Sequence, residues 1–248
     1  MIPDVKIETI SCWDTVGSLG IPSLEVPIIK DLPKIKNFFS GVNHERYDFH
    51  DTELSPQVKH AFHALALDER RRHFEPALWK KTEETMKADL KQCWFPGVHS
   101  NIGGGVEDQE IADMTLAWMI QQLSPYLGFD DNYLDSIIVN NDGISKGQWA
   151  TGGFYDDWKT WLLNWGGKAR ELGVDDNNGE TMHRSVRVRR DFESEWSCKA
   201  LKGWTWDEKG SNWTNGSKTI REDGLGSLEE RLAGPAVQRD HLQAKKNL

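Results

Sequence analysis

Cysteine is scarce in this sequence. Cys12, Cys93 and Cys198 are scattered through 248 residues and odd in number, and no two form a Cys-x-x-Cys pair. That excludes a disulfide framework and gives no hint of a zinc site, so no metal is expected; it suits a reducing compartment. Long apolar runs are missing as well. No window approaches the roughly 20 residues that a membrane-spanning helix needs. Met1 to Lys6 has neither the basic start nor the apolar stretch of a signal peptide. The expectation is no transmembrane segment, with the cytoplasm as the default location. The paired triplets Asn212-Trp213-Thr214 and Asn215-Gly216-Ser217 then read as accidental rather than as glycosylation sites.

An excess of positive charge is also absent. Lys and Arg number 30 against 39 Asp and Glu, a formal charge of −9. Such a surface repels phosphate backbones, so nucleic acid is not an expected partner. The local basic runs, Arg70 to Arg72 and Arg184 to Arg190, are flanked by acids and read as solvated faces. Gly103-Gly104-Gly105 matches neither phosphate-binding glycine pattern, so no nucleotide cofactor, and no cofactor of another kind, is expected. There is no internal repeat.

What is present suits a globular chain with one sizeable core. Hydrophobic residues make up 38% and charged residues 28%, which separates it from disordered and membrane proteins. Residues 5–13 (VKIETISCW) read as a strand that meets a loop at Asp14. Residues 22–55 read as a long connection. Ser55-Pro56 has the form of a helix start, and the stretch to Leu67 fits either helix or strand. Residues 91–99 (KQCWFPGVH) predict a second strand, ending at His99 before the glycine loop. Residues 108–127 predict a helix, from the apolar spacing of Ile111, Met114, Leu116, Trp118, Met119 and Leu123. Strand, glycine loop and helix in that order is α/β grammar. Eight of the twelve tryptophans lie from Trp149 onward, and Trp158, Trp161 and Trp165 share helical spacing with Leu162. That stripe suits core packing or a lipid-facing surface. A short helical piece is expected near Leu228 to Leu232.

Two residues stand where α/β enzymes keep catalytic groups. Asp14 follows the first strand, where it is either a catalytic carboxylate or a turn aspartate bonded to nearby N–H groups. His99 precedes the three glycines, where it is either a general base or a histidine that steadies a tight turn. A nucleophile is harder to find. The chain's Gly-x-Ser-x-Gly, residues 143–147 around Ser145, follows both Asp14 and His99, whereas the α/β-hydrolase order is serine, acid, histidine. Cys93 lies on the same predicted strand as His99, and the two do not converge readily on one substrate atom.

Four segments then carry a resemblance: CWDTVGSLGIP (12–22), HALALDERRRHFEPALW (63–79), CWFPGVHSNIGGG (93–105) and DQEIADMTLAWM (108–119). In this order they resemble an α/β-hydrolase family of bacteria and fungi that includes the phospholipase effector catalytic domains of the type VI secretion system. The resemblance implies that Asp14 is the triad acid and His99 the base. The family often has aspartate where this chain has Asn101. Its serine sits in an elbow upstream of the aspartate block, a region this chain lacks, so the resemblance covers only the C-terminal part of the family's domain. The expected fold is α/β: a partial, mostly parallel sheet with flanking helices and a helical, Trp-rich C-terminal region. It spans residues 1–235, with a disordered tail over 236–248. The expected function is a fragment or remnant of a serine hydrolase acting on a lipid or other ester, with acid and base retained, the nucleophile serine absent and no activity as it stands. The competing readings are a non-catalytic subunit that pairs with a protein partner, or with itself, through an open sheet edge, and an active hydrolase built on Ser145 or Cys93.

Overall fold

The computed structural model describes residues 5–17, 52–71, 74–140, 149–154, 167–175 and 177–233. Most of the 22–55 connection, the Ser145 motif, the Trp158, Trp161, Trp165 stripe and the tail after residue 236 lie outside the described residues.

Three parallel strands form the first half of the sheet. They are β1 (Ile7–Trp13), β2 (Val58–Ala66) and β3 (Asp89–Phe95). The register pairs Ile10 with Ala61 on β1 and β2, and His63 with Gln92 on β2 and β3. The Ser55-Pro56 signal does not start a helix. Ser55 accepts from Gln57 N–H through its hydroxyl and from Val58 N–H through its carbonyl, closing a turn that feeds β2 directly. Burial decides between helix and strand here. Ala61 through Leu67 are all buried, which suits a central parallel strand covered on both faces.

Alternation along the strands divides the core in two. Phe62, Ala64, Ala66, Cys93 and Phe95 point to one face, where they meet Ile102, Ile111, Met114, Trp118 and Met119. Leu65, Leu67 and Trp94 point to the other, against Leu172, Met182, Val186, Trp204 and Trp213. The chain leaves β3 through Pro96-Gly97, where Gly97 takes φ 120°, a backbone that L side chains rarely adopt. His99 therefore opens a short helix, α1 (His99–Gly103), rather than ending the strand. The glycine loop follows, then α2 (Glu110–Leu123), with Ile111, Met114, Trp118 and Met119 buried as the spacing predicts. Leu116 is the exception and faces solvent.

After α3 (Asp131–Asn140) the chain adds strands as well as helices. β4 (Glu180–His183) pairs in parallel with β3, and β7 (Lys218–Asp223) pairs in parallel with β4. Helix α4 (Arg184–Phe192) follows β4. β5 (Thr205–Asp207) and β6 (Asn212–Asn215) complete an antiparallel meander on β7, and α5 (Ser227–Ala233) covers the expected Leu228 to Leu232 piece. Among the described residues the sheet has seven strands in the order β1-β2-β3-β4-β7-β6-β5, mostly parallel and flanked by helices: an α/β fold. The basic run on α4 is not a solvated face. Arg187 and Arg189 are buried, Arg187 against Glu222 and Arg189 on the carbonyls of Ala150 and Gly152. Among the described residues no helix is long and apolar enough to cross a membrane.

The β3–β4 junction leaves no room for a side chain at Gly179 and gives a stability prediction. Gly179 has φ 67°, its carbonyl accepts from Gln92 N–H, and an added Cβ would lie 2.1 Å from Leu90 O. Gly216 has φ 61° with open space around it. Gly179→Ala should lower stability by about 3 kcal/mol or more, and Gly216→Ala by about 1 kcal/mol. Chemical denaturation of the two variants measures the contrast, and equal costs would contradict the packing account.

Candidate functional site

The first three strands end side by side, and each carries a charged or titratable residue just past its C-terminal end. Asp14 follows β1, Asp68 and Glu69 follow β2, and His99 follows β3. The crevice outside the carboxyl ends of parallel strands is where open α/β sheets bind ligands.

Asp14 is fully buried and has φ 41°, a left-handed backbone unusual for a residue with a side chain. Its N–H donates to Ala64 O at 2.7 Å, which caps the β1–β2 ladder. The carboxylate does not bond its own turn. Oδ1 accepts from Ala66 N–H at 2.9 Å, while Oδ2 accepts from His99 Nδ1 at 2.8 Å and from Arg170 Nη2 at 2.8 Å. Because a carboxylate only accepts, Nδ1 of His99 carries the proton, and in the neutral ring Nε2 keeps the lone pair. Nε2 has no hydrogen-bond partner among the described residues, and the His99 side chain is 32% exposed. One nitrogen held by a buried acid and the other open to solvent is the arrangement of a base awaiting a proton.

The surroundings fix this ring. Glu69, itself buried, accepts from His99 N–H and from Arg70 N–H, Arg71 N–H, Arg71 Nε and Arg71 Nη2. Burial works to raise the Glu69 carboxyl, but the bonds from Arg71 outweigh it and hold the group below its usual range. Phe74 meets the His99 ring edge-on at 4.9 Å, and the Arg71 guanidinium lies over Phe74 at 3.7 Å. Asp68 accepts from Gly97 N–H and Trp196 Nε1, and burial pushes its carboxyl up. Asn101 has a structural place. Its Oδ1 accepts from Val98 N–H and its Nδ2 donates to Gly153 O, a donation that an aspartate could not make.

Arg170 is the member that sequence reasoning missed. It sits 156 residues from Asp14 along the chain, in a stretch with no motif. Sequence reasoning also passed over a second histidine constellation, which the structure explains as packing. His183 Nδ1 bonds the Ser185 hydroxyl at 2.7 Å and His183 Nε2 bonds Glu229 at 2.8 Å. The residue types match a catalytic triad, but His183 and Ser185 are wholly buried and Glu229 nearly so, leaving no path for a substrate. His183 here caps α4, and Phe95 stacks on it at 4.3 Å. Cys93 is wholly buried in the core and its thiol is pushed well up, chiefly by burial, so it is no nucleophile.

Beneath Asp14, His63 accepts from Thr15 N–H through Nε2 and therefore donates from Nδ1 to Gln92 Oε1. Burial, above all, lowers its pKa to about 4. The folded state thus holds His63 neutral while the unfolded chain takes up a proton near pH 6.5. The stability this contributes is complete above pH 6.5, is lost as pH falls toward 4, and amounts to about 3 kcal/mol across that window. His63→Gln should flatten the pH dependence of the denaturation midpoint between pH 6.5 and 4; an unchanged slope would place the acid sensitivity elsewhere.

Comparison with known proteins points to the same region of the chain. The family model for the T6SS phospholipase effector Tle1-like catalytic domain matches residues 2–122, a span that takes in β1, β2, β3, α1, nearly all of α2, and both Asp14 and His99. No curated protein and no solved structure matches the chain.

Proposed function

We propose that Asp14 and His99 are the acid and base of a lipase-like ester-hydrolysing site, with a phospholipid or related lipid ester as substrate class, and that this chain belongs with the Tle1-like phospholipase effector domains. The observation that carries the reading is the 2.8 Å bond from a fully buried carboxylate to one nitrogen of a histidine whose other nitrogen is open. Asp14 holds the tautomer and balances the imidazolium that forms when Nε2 takes a proton, the part an acid plays beside a triad histidine. The match of the phospholipase effector family model across both residues supports the substrate class.

A nucleophile is the third part that such a site needs. The described residues bring no serine hydroxyl into hydrogen-bond contact with His99 Nε2. Among the described residues β1 ends the strand order, and none of its seven residues is buried. A parallel strand added beside β1 would end next to Asp14 and His99, where the attacking oxygen is needed. In this reading the chain supplies acid and base, and the serine comes from a further segment or a second chain seated on that edge. Without it the chain is inactive and acts as a binding subunit.

The test is labelling with a fluorophosphonate together with an assay of short-chain phosphatidylcholine hydrolysis. The purified chain should neither label nor hydrolyse. Protein recovered from its source cells, with any serine-bearing segment or partner attached, should do both. His99→Ala in that form should cost about 10³-fold or more in hydrolysis. Hydrolysis by the purified chain that survives His99→Ala would sink the proposal.

A further inference from the structure

His99 lies between two carboxylates, and each of them is matched by an arginine. Asp14 Oδ2 accepts from His99 Nδ1 and from Arg170 Nη2, both at 2.8 Å. Glu69 accepts from the His99 backbone N–H and pairs with Arg71 at 2.8 Å. The other charged groups nearby have partners of their own. Asp68 accepts from Gly97 N–H and Trp196 Nε1, and Lys168 pairs with Glu75 and Glu171. The Asp14–Arg170 pair is the drier of the two arginine pairs. The Arg170 side chain is 3% exposed and that of Asp14 wholly buried, so solvent screens neither charge from the ring. Burial pulls the Arg170 guanidinium below its usual range while the Asp14 charge works the other way, and an arginine remains a cation throughout. With a neutral ring, the charges that touch His99 therefore cancel: Asp14 against Arg170, Glu69 against Arg71. Take Arg170 away, and an uncompensated carboxylate stands one hydrogen bond from the ring. Such a carboxylate favours the imidazolium, which has no lone pair left with which to take a proton from a hydroxyl.

We propose that Arg170 is a positioning residue of the Asp14–His99 pair: its cation offsets the Asp14 carboxylate, so that Asp14 orients the ring through Nδ1 without fixing it as an imidazolium, and Nε2 is left free to act as a base. The catalytic consequence rests on the ester-hydrolase reading of the pair. The charge state of the ring does not, and it is what the test reads.

The ring nitrogen resonances of His99 are followed through a pH titration of the full chain. At neutral pH the unsubstituted chain should show a neutral ring with its proton on Nδ1, and an imidazolium there overturns the proposal. Arg170→Gln keeps an N–H donor for Asp14 and removes the charge. It should raise the titration midpoint of the ring by about one pH unit or more. Arg170→Lys restores the charge and should bring the midpoint most of the way back. A midpoint that Arg170→Gln leaves in place, or that Arg170→Lys raises just as far, overturns the proposal and reduces Arg170 to a tie between segments, seen only as lower stability. Should Arg170→Gln not fold, Asp14→Asn carries the test. It leaves the Arg170 cation unopposed beside the ring, so the midpoint should fall below the ordinary histidine value of about 6.5, and a midpoint at or above that value overturns the proposal. In a serine-bearing form, the acid limb of the pH–rate profile should move with the ring in Arg170→Gln. If ring and limb both stay put while hydrolysis still depends on His99, the role of Arg170 fails alone. If the ring shifts as expected in a form that never hydrolyses an ester, the hydrolase reading fails alone.

Discussion

A carboxylate with no exposure to solvent has to be satisfied from within the protein, and the Asp14 site is organised by that demand. Three segments far apart in sequence converge on its two oxygens: Ala66 N–H from β2, His99 Nδ1 after β3 and Arg170 Nη2 from the 167–175 segment. The charge of one residue thus locks the ends of two strands and a later loop into one place. Removing one partner of such a pair strands the other without solvent, at a cost of about 3–5 kcal/mol. The pair is therefore as much a constraint on the fold as a feature of the site.

Parallel pairing lets so few residues do this. In β1, β2 and β3 the chain runs in one direction at each step, so the residue after each strand arrives at the same edge of the sheet. The layer beneath holds those ends level. His63 and Gln92 pair across β2 and β3, His63 takes the N–H of Thr15, and Gln92 fills its amide group with Trp79 N–H, Trp79 O and Asn178 O. A shift of one residue in register would turn His63 and Gln92 to the opposite face and release the Asp14 loop. The cost of keeping a histidine neutral in that layer appears as acid sensitivity directly beneath Asp14.

The sequence made part of this legible and hid the rest for identifiable reasons. Asp14 and His99 could be found because each follows an apolar stretch whose strand character is local. Residues 58–67 stayed ambiguous because a buried strand and a buried helix are both apolar throughout, and the capping form of Ser55-Pro56 served a turn instead. β4 and β5 are four and three residues long, too short to show a period, and their partners lie elsewhere in the chain. Arg170 left no local trace, since its role comes from contact with a carboxylate 156 residues away. The arginines of α4 misled because their neighbours in sequence are acidic while their partners in space are Glu222 and the carbonyls of Ala150 and Gly152.

Two histidine constellations in one sheet sharpen what separates a site from a structural tie. His183 has a serine on one nitrogen and a glutamate on the other, the fuller set by residue type. His99 has only an aspartate. Both of the His183 nitrogens are consumed inside the core, so a proton taken there has nowhere to go and no substrate to come from. His99 has one satisfied nitrogen and one open to solvent, on a ring held by an acid, a backbone bond to Glu69 and an aromatic edge. In the proposed reading, catalytic capacity rests on that asymmetry: rigid on one side, unspent on the other. Arg170, one step away, differs: Nη2 is given to Asp14, while Nε and Nη1 have no partner among the described residues but are buried and not open to solvent. Around Asp14 the fold has thus fixed the position of one open group, His99 Nε2, without fixing its partner, and in the proposed reading that is the condition under which binding energy can be directed at a substrate.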